Sequence, residues 1–365
     1  MNTTLLNPSE IRPDLPTRAF PILIIGTGGI VRDAHLPAYR IAGFPVWGIY
    51  NRTRPRAAAL AVEYGIANVF DDLEEAIAAA PDDVIFDIAL PASMFTDALR
   101  RLPRGAHVLI QKPMGEDLAQ AREVLDVCRE RELHAAINCQ LRFAPFVMAA
   151  RRLIEDGIIG DLIDIEMRLT TMTPWELFPF LNGLPRVEVV YHSVHYIDLI
   201  RSFLGDPGSV HARTVSHPLH PDLASVCSSI LMAYPDPVRA TITANHLHRF
   251  GPKNQESYLK WEGSKGAIKA RVGLLMDYPN GVGDEFEYCL LDADGQPGEW
   301  QSVKLEGSWF PEAFIGSMAQ VQCHKQGSLD RMVTDVEDVI HTMACVEAAY
   351  ESDRRGGVKP KEFLL

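Results

Sequence analysis

The segment EVVYHSVHYIDLI (188–200) sets two histidines and two tyrosines inside an otherwise apolar run. Imidazole, with an ordinary pKa of about 6.5, can take and return a proton near neutral pH. Beside a phenol that donates or accepts a hydrogen bond, it can act as general base toward a hydroxyl. The same residues also suit a buried core helix whose polar tips are satisfied elsewhere, and the segment alone leaves both readings open. Helical positions four apart share a face. Tyr191 and His195 would then lie one turn apart, with His192 a neighbour of His195.

Two other groupings bear on chemistry. GTGGIV (26–31) follows the apolar run FPILII and precedes a helix-like stretch. Gly26 permits a tight turn, Gly28 lets backbone approach a pyrophosphate, and amide N–H groups at a helix start favour an anion. Gly26, Thr27, Gly28, Gly29 and Ile30 are therefore the candidate cofactor loop, although Val31 stands where the G-x-G-x-x-G pattern has its third glycine. The next strand-like run ends in Asn51 and Arg52. An acid there would bind ribose hydroxyls and repel a 2′-phosphate. Asn51 bonds without repelling, and Arg52 can stack on adenine or pair with phosphate, so NAD and NADP are both open. Pro91 closes a later buried strand, and QKPMG (111–115) places Lys112 at the end of another. Ligands of open parallel sheets bind outside the strands' carboxyl ends. Lys112 is thus placed to touch a substrate oxygen or the nicotinamide ribose.

The elements that must position these groups read as follows. From residue 20 to 140, short apolar runs alternate with helix-like stretches, as repeated βαβ units of a doubly wound parallel sheet do. Beyond 141 the pattern changes to one helix, a half-exposed strand, the 188–204 helix and six strand-like runs between 208 and 305. These imply a large, mostly antiparallel sheet with one wet face. A last helix is expected over 330–356. The expected organisation is a loose N-terminal arm (1–18), a dinucleotide-binding Rossmann domain (19–140) and an α/β substrate and oligomerisation domain (141–365).

GTGGIVRDAHLPA, QKPMG, INCQLRFAPFVMAARRLIEDGIIGD, HYIDLIRSFLG and EGSKGAI together resemble the glucose–fructose oxidoreductase, inositol dehydrogenase and rhizopine-catabolism (Gfo/Idh/MocA) family, over nearly the whole chain from residue 20. The resemblance implies an NAD(P)-dependent dehydrogenase of sugars, cyclitols and related polyols, assembled as a homodimer or homotetramer. It matches the family's lysine to Lys112, in a motif reading Gln-Lys-Pro in place of Glu-Lys-Pro, and its catalytic histidine to His195. The family's aspartate four residues earlier is replaced by Tyr191. On this reading His195 is the base, Lys112 supplies positive charge where alkoxide develops, and Tyr191 reshapes the sugar pocket. Weaker candidates for substrate contact are Asn138, Arg142, Trp175 and His192, with His246 and His248 behind them; Arg142 equally suits a structural hydrogen-bond donor, Trp175 an interface or core ring, and His192 a packed polar residue. The leading function is oxidation of an aldose, such as a pentose of the apiose type, to its lactone. Polyol oxidation, cofactor-assisted glycoside cleavage and a non-catalytic nucleotide sensor are the alternatives.

Bulk properties narrow the partners. The chain has 365 residues and a formal net charge of −13, which disfavours nucleic acid and anionic membrane as partners. No apolar run approaches the ~18 residues of a membrane span, and no signal-peptide pattern opens the chain. Six scattered cysteines without a C-x-x-C pair fit reduced thiols and a cytoplasmic setting, and show no metal framework.

Overall fold

A computed structural model describes residues 5–357. The chain divides into two compact units. The first holds the chain through Asp156, with Gly283–Phe286 and Ser302–Met343; the second holds Gly157–Val282, Glu287–Gln301 and the chain from Ala344 onward.

The first unit is built on six strands: β1 (Ile22–Ile25), β2 (Val46–Tyr50), β3 (Asn68–Phe70), β4 (Ile85–Ile88), β5 (His107–Ile110) and β6 (His134–Ile137). All pair in parallel, in the order β3-β2-β1-β4-β5-β6. Helices α1 (Leu36–Ala42), α2 (Arg54–Tyr64), α3 (Leu73–Ala79), α4 (Phe95–Arg101), α5 (Leu118–Glu130) and α6 (Pro145–Glu155) alternate with them or follow them. The four residues of β1 are fully buried, as a strand covered on both faces requires. Each such side chain contributes about 1.5–3 kcal/mol. Asp72 and Asp117 cap α3 and α5 by accepting from the Glu75 and Gln120 amides. Gly65 closes α2 at φ +71°.

The second unit contains β7 (Leu162–Thr170), α7 (Val194–Leu204), β8 (Ser209–Val215), β9 (Cys227–Ala233), β10 (Arg239–Asn245), β11 (Glu256–Gly263) and β12 (Gly266–Arg271). With β13 (Glu285–Leu290) and β14 (Gln301–Ser302) these strands form an eight-stranded sheet, ordered β14-β13-β12-β11-β7-β10-β9-β8. β7 and β10 run parallel, whereas β8/β9, β9/β10, β7/β11 and β11/β12 are antiparallel. Burial alternates along β9 and β10, the mark of one wet face.

Four features depart from the sequence reading. Residues 313–326, given no element there, form α8 (Ala313–Gln326), which packs on β5 and β6 of the first unit. The chain thus returns to that unit, and a single boundary near 140 does not describe it. The last helix, α9, spans Val336–Arg355. The described part of the N-terminal arm is pinned, not loose. Leu6 is buried, Thr17 Oγ1 donates to Gln326 Oε1 (2.9 Å), and the Arg18 amide donates to the same oxygen (3.1 Å). Residues 1–4 of the arm lie outside the described residues. Finally, the expected helix over 188–204 is α7 preceded by a π-helical turn, Val189–Ser193. A second π turn, Val31–His35, precedes α1.

Candidate active site

In the first unit the loop residues follow consecutive strand ends, and backbone bonds pin them. The Gly26 amide donates to Tyr50 O (2.9 Å), Asn51 to Phe70 O (3.2 Å), Gln111 to Ile88 O (2.8 Å) and Asn138 to Ile110 O (2.7 Å). Gly26 sits at φ +117°, and a Cβ there would meet Ala89 O at 2.3 Å. Only glycine allows the loops after β1 and β4 to close up at the switch point of the strand order. Pro91 opens the turn that follows β4.

The loop fits a dinucleotide. Gly28 and Gly29 are exposed, and a Cβ on Gly28 would meet nothing within 4 Å. The Thr27 hydroxyl is buried without a hydrogen-bond partner, as a group reserved for a bound phosphate would be. Gly28 O receives the Val31 and Arg32 amides and so starts the helical stretch. At the end of β2, Asn51 Nδ2 donates to Thr53 O (3.1 Å) and Arg52 is exposed. Neither Asn51 nor Arg52 brings a carboxylate that would repel a 2′-phosphate.

Lys112 leaves the sheet two residues after β5, through a cis bond to Pro113. Burial pushes its ammonium down to about 8, opposed weakly by Cys139. Behind it runs a buried polar chain. Asp87, in the middle of β4, binds His35 Nδ1 and the Tyr39 hydroxyl, each at 2.7 Å. Asn138 Nδ2 reaches His35 Nε2 (3.3 Å) and Gln111 Oε1 (2.8 Å). His35 therefore donates through Nδ1 and accepts through Nε2. Burial, then the Asp87 charge, hold the Tyr39 phenol well above its usual range. The chain also accounts for Gln-Lys-Pro: Gln111 accepts the Asn138 bond without adding a second carboxylate to a network that already holds Asp87. Asn138 is fully buried inside this network, and Arg142 donates to Val333 O (2.7 Å) and Asp338 Oδ2 (2.6 Å). Both side chains bond within the first unit, which for Arg142 is the structural role that the sequence left open.

In the second unit Tyr191 and His192 lie in the π turn, and His195 lies in the first turn of α7 at 9% exposure. The plain α-helical spacing assumed for Tyr191 and His195 is therefore interrupted by a wide turn, a feature common at functional sites. Glu188, fully buried, anchors the turn. Its Oε1 accepts from Ser193 Oγ (2.7 Å), and its amide donates to Ser225 Oγ (3.2 Å). Upstream, Arg186 forks onto Glu347 (2.6 and 2.8 Å), and within the turn the Val190 amide donates to the Tyr350 hydroxyl (3.3 Å). His246 Nδ1 bonds Thr173 Oγ1 (2.8 Å). Its Nε2 lies 3.5 Å from Glu188 Oε1 without hydrogen-bond alignment, which leaves Nε2 and Glu188 Oε2 buried and unpartnered.

Trp175 is buried and presents its ring to His192 (5.2 Å) and His246 (5.4 Å). It belongs to a small core with Leu181, Val187, Leu223, Val226 and Leu247, against which Tyr191 packs. Its burial in this cluster fits the core role that the sequence left open for it. Phe180 is exposed and edge-on to Tyr191 at 5.9 Å, and Tyr191 and His192 are themselves partly exposed. His248 bonds Lys253 O through Nε2 (3.2 Å). Sequence reasoning missed Glu188, Asp87 and His35 as partners. A lone acid inside the apolar strand VIFDIAL was the available signal, since a buried carboxylate needs partners.

Comparison with known proteins agrees with the fold of each unit. Residues 20–138 match the model of the oxidoreductase family with an NAD-binding Rossmann fold, and residues 147–269 match the GFO/IDH/MocA C-terminal domain. D-apiose dehydrogenase of Paraburkholderia graminis is 24% identical over 93% of this chain and 89% of its own. D-xylose 1-dehydrogenase (NADP(+)) 2 of Haloferax volcanii is 27% identical over 52% of this chain and 59% of its own. An oxidoreductase from Agrobacterium radiobacter, solved with NAD+, L-tartaric acid and magnesium, shares the fold at a TM-score of 0.74 and 19% identity, over 95% of this chain and 100% of that one. The chain belongs to the Gfo/Idh/MocA family and is an NAD(P)-dependent oxidoreductase acting on alcohol groups.

Proposed function

We propose that the protein is a sugar dehydrogenase that oxidises an aldose, with a pentose of the apiose type as leading candidate, at its anomeric carbon to a lactone. The observation that carries the reading is Lys112, partly buried at the strand-end edge that also carries the glycine loop. The likeness to D-apiose dehydrogenase over most of both chains supports the substrate class. The bound dinucleotide supplies the hydride acceptor. His195 takes the hydroxyl proton, and Lys112, protonated below about 8, stabilises developing alkoxide charge. Glu188 and Trp175 hold the π turn that presents Tyr191 and His192.

The experiment is a panel of aldoses and cyclitols with NAD and with NADP, followed by identification of the product. Reduced nicotinamide together with a lactone from one pentose is the expected result. A ketone from a cyclitol would move the function to polyol oxidation.

A further inference from the structure

Three histidines distant in sequence meet on the edge of the first unit's sheet opposite the cofactor loop. His107 opens β5, His134 opens β6, and His324 stands near the end of α8. The glycine loop, Asn51 and Lys112 all follow the other ends of these parallel strands. One ring nitrogen from each histidine falls within 4.8 Å of the other two. His107 Nε2 and His324 Nδ1 are 3.0 Å apart. The His107 and His134 rings stack at 4.5 Å, and the His134 and His324 rings are 5.0 Å apart. Three imidazoles this close would repel one another if charged. Burial, with the nearby Lys325 charge, pushes His107 down to about 3, and a neutral ring is the form that binds metal.

We propose that His107, His134 and His324 form a binding site for one divalent transition-metal ion of the zinc, nickel or copper class. Imidazole nitrogen suits these ions. Tetrahedral bonds of ~2.0–2.1 Å place ligand nitrogens ~3.3 Å apart, close to the 3.0 Å between His107 and His324. The His134 ring must turn out of its stack to complete the set. It is exposed and lines a cleft of about 420 Å³, which gives a hydrated ion a path and leaves room for water as fourth ligand. Asp335 and Glu337 line the same cleft but are held by Arg331 and Arg129, each at 2.6 Å. The Lys325 ammonium lies over the Phe20 ring, 5.5 Å from its centre. A bound ion ties α8, which arrives late in the chain, to the first residues of β5 and β6. Its role is a staple, remote from hydride chemistry.

The test uses the full chain, stripped with chelator and titrated calorimetrically with Zn²⁺ and, in parallel, Ni²⁺. The expected result is saturable binding with a rise in Tm on adding Zn²⁺. His134→Ala and His324→Gln should each weaken binding by more than about 100-fold, beyond the ~10–100-fold that loss of an outer-sphere partner costs. They should also remove the rise in Tm while keeping the wild-type far-UV spectrum. Since His134 is exposed, His134→Ala decides the matter even where His324→Gln disturbs α8. No saturable binding by the wild type, or unchanged affinity in His134→Ala, overturns the proposal.

Discussion

Lys112 titrates where activity can report on it. Its ammonium, lowered by burial to about 8, is charged below that pH and neutral above it. A charge that stabilises alkoxide predicts that kcat/KM falls as pH rises through about 8. Lys112→Arg, charged at every working pH, should lose that alkaline limb while retaining residual turnover. Activity that climbs through the same pH would make Lys112 the base and contradict its assigned role. At the end of β2, Arg52→Ala should raise KM for NADP about tenfold, the order of one exposed charge-assisted contact, and leave KM for NAD within about twofold. Equal effects on both cofactors, measured by initial rates, would remove Arg52 from the 2′-phosphate. The glycine loop and Lys112 were legible in the sequence because strand, turn and side chain are contiguous. Glu188 with His246, and Asp87 with His35, were not, because each pair joins segments that only tertiary folding brings together. The metal-site histidines 107, 134 and 324 escaped for the same reason.

Among the elements, all six parallel strands and the runs that became β7 to β13 were readable from apolar runs and alternation. α8 was not. A helix buried nearly all round carries no apolar stripe, and its Gln320 and Gln322 look like surface residues. Both are buried, Gln320 Nε2 donating to Thr334 Oγ1 (2.7 Å) and Gln322 Nε2 to Phe20 O (3.1 Å). Gly316 shows what packing overrides. Helix propensity alone would favour Gly316→Ala by about 1 kcal/mol. A Cβ there would meet the Phe143 side chain at 2.5 Å, so the substitution should instead destabilise by about 1–3 kcal/mol. The urea midpoint measures this, and a raised midpoint would show that α8 does not press on the Phe143 ring as described. The π turns were equally hidden, since no residue pattern separates a wide turn from the helix it interrupts.

At the scale of the molecule, no helix among the described residues is long and apolar enough to cross a membrane. The wet face of the second sheet carries both signs of charge, with Arg168–Glu256 at 2.7 Å and Lys260–Glu262 at 3.0 Å. A mixed-sign face can pair with its own copy about a twofold axis. Sedimentation equilibrium should give a dimer or tetramer; a monomer at every concentration tested would contradict association through this face. On the proposed mechanism the protein oxidises a sugar hydroxyl with His195 as base. Reduced-nicotinamide formation and dinucleotide binding, measured side by side in wild type and His195→Ala across the sugar panel, test this. The wild type should turn over one sugar, and the variant should lose about 10²–10⁴-fold of that activity with dinucleotide affinity unchanged. Wild-type silence across the panel despite dinucleotide binding, or full turnover by His195→Ala, would contradict this role of His195.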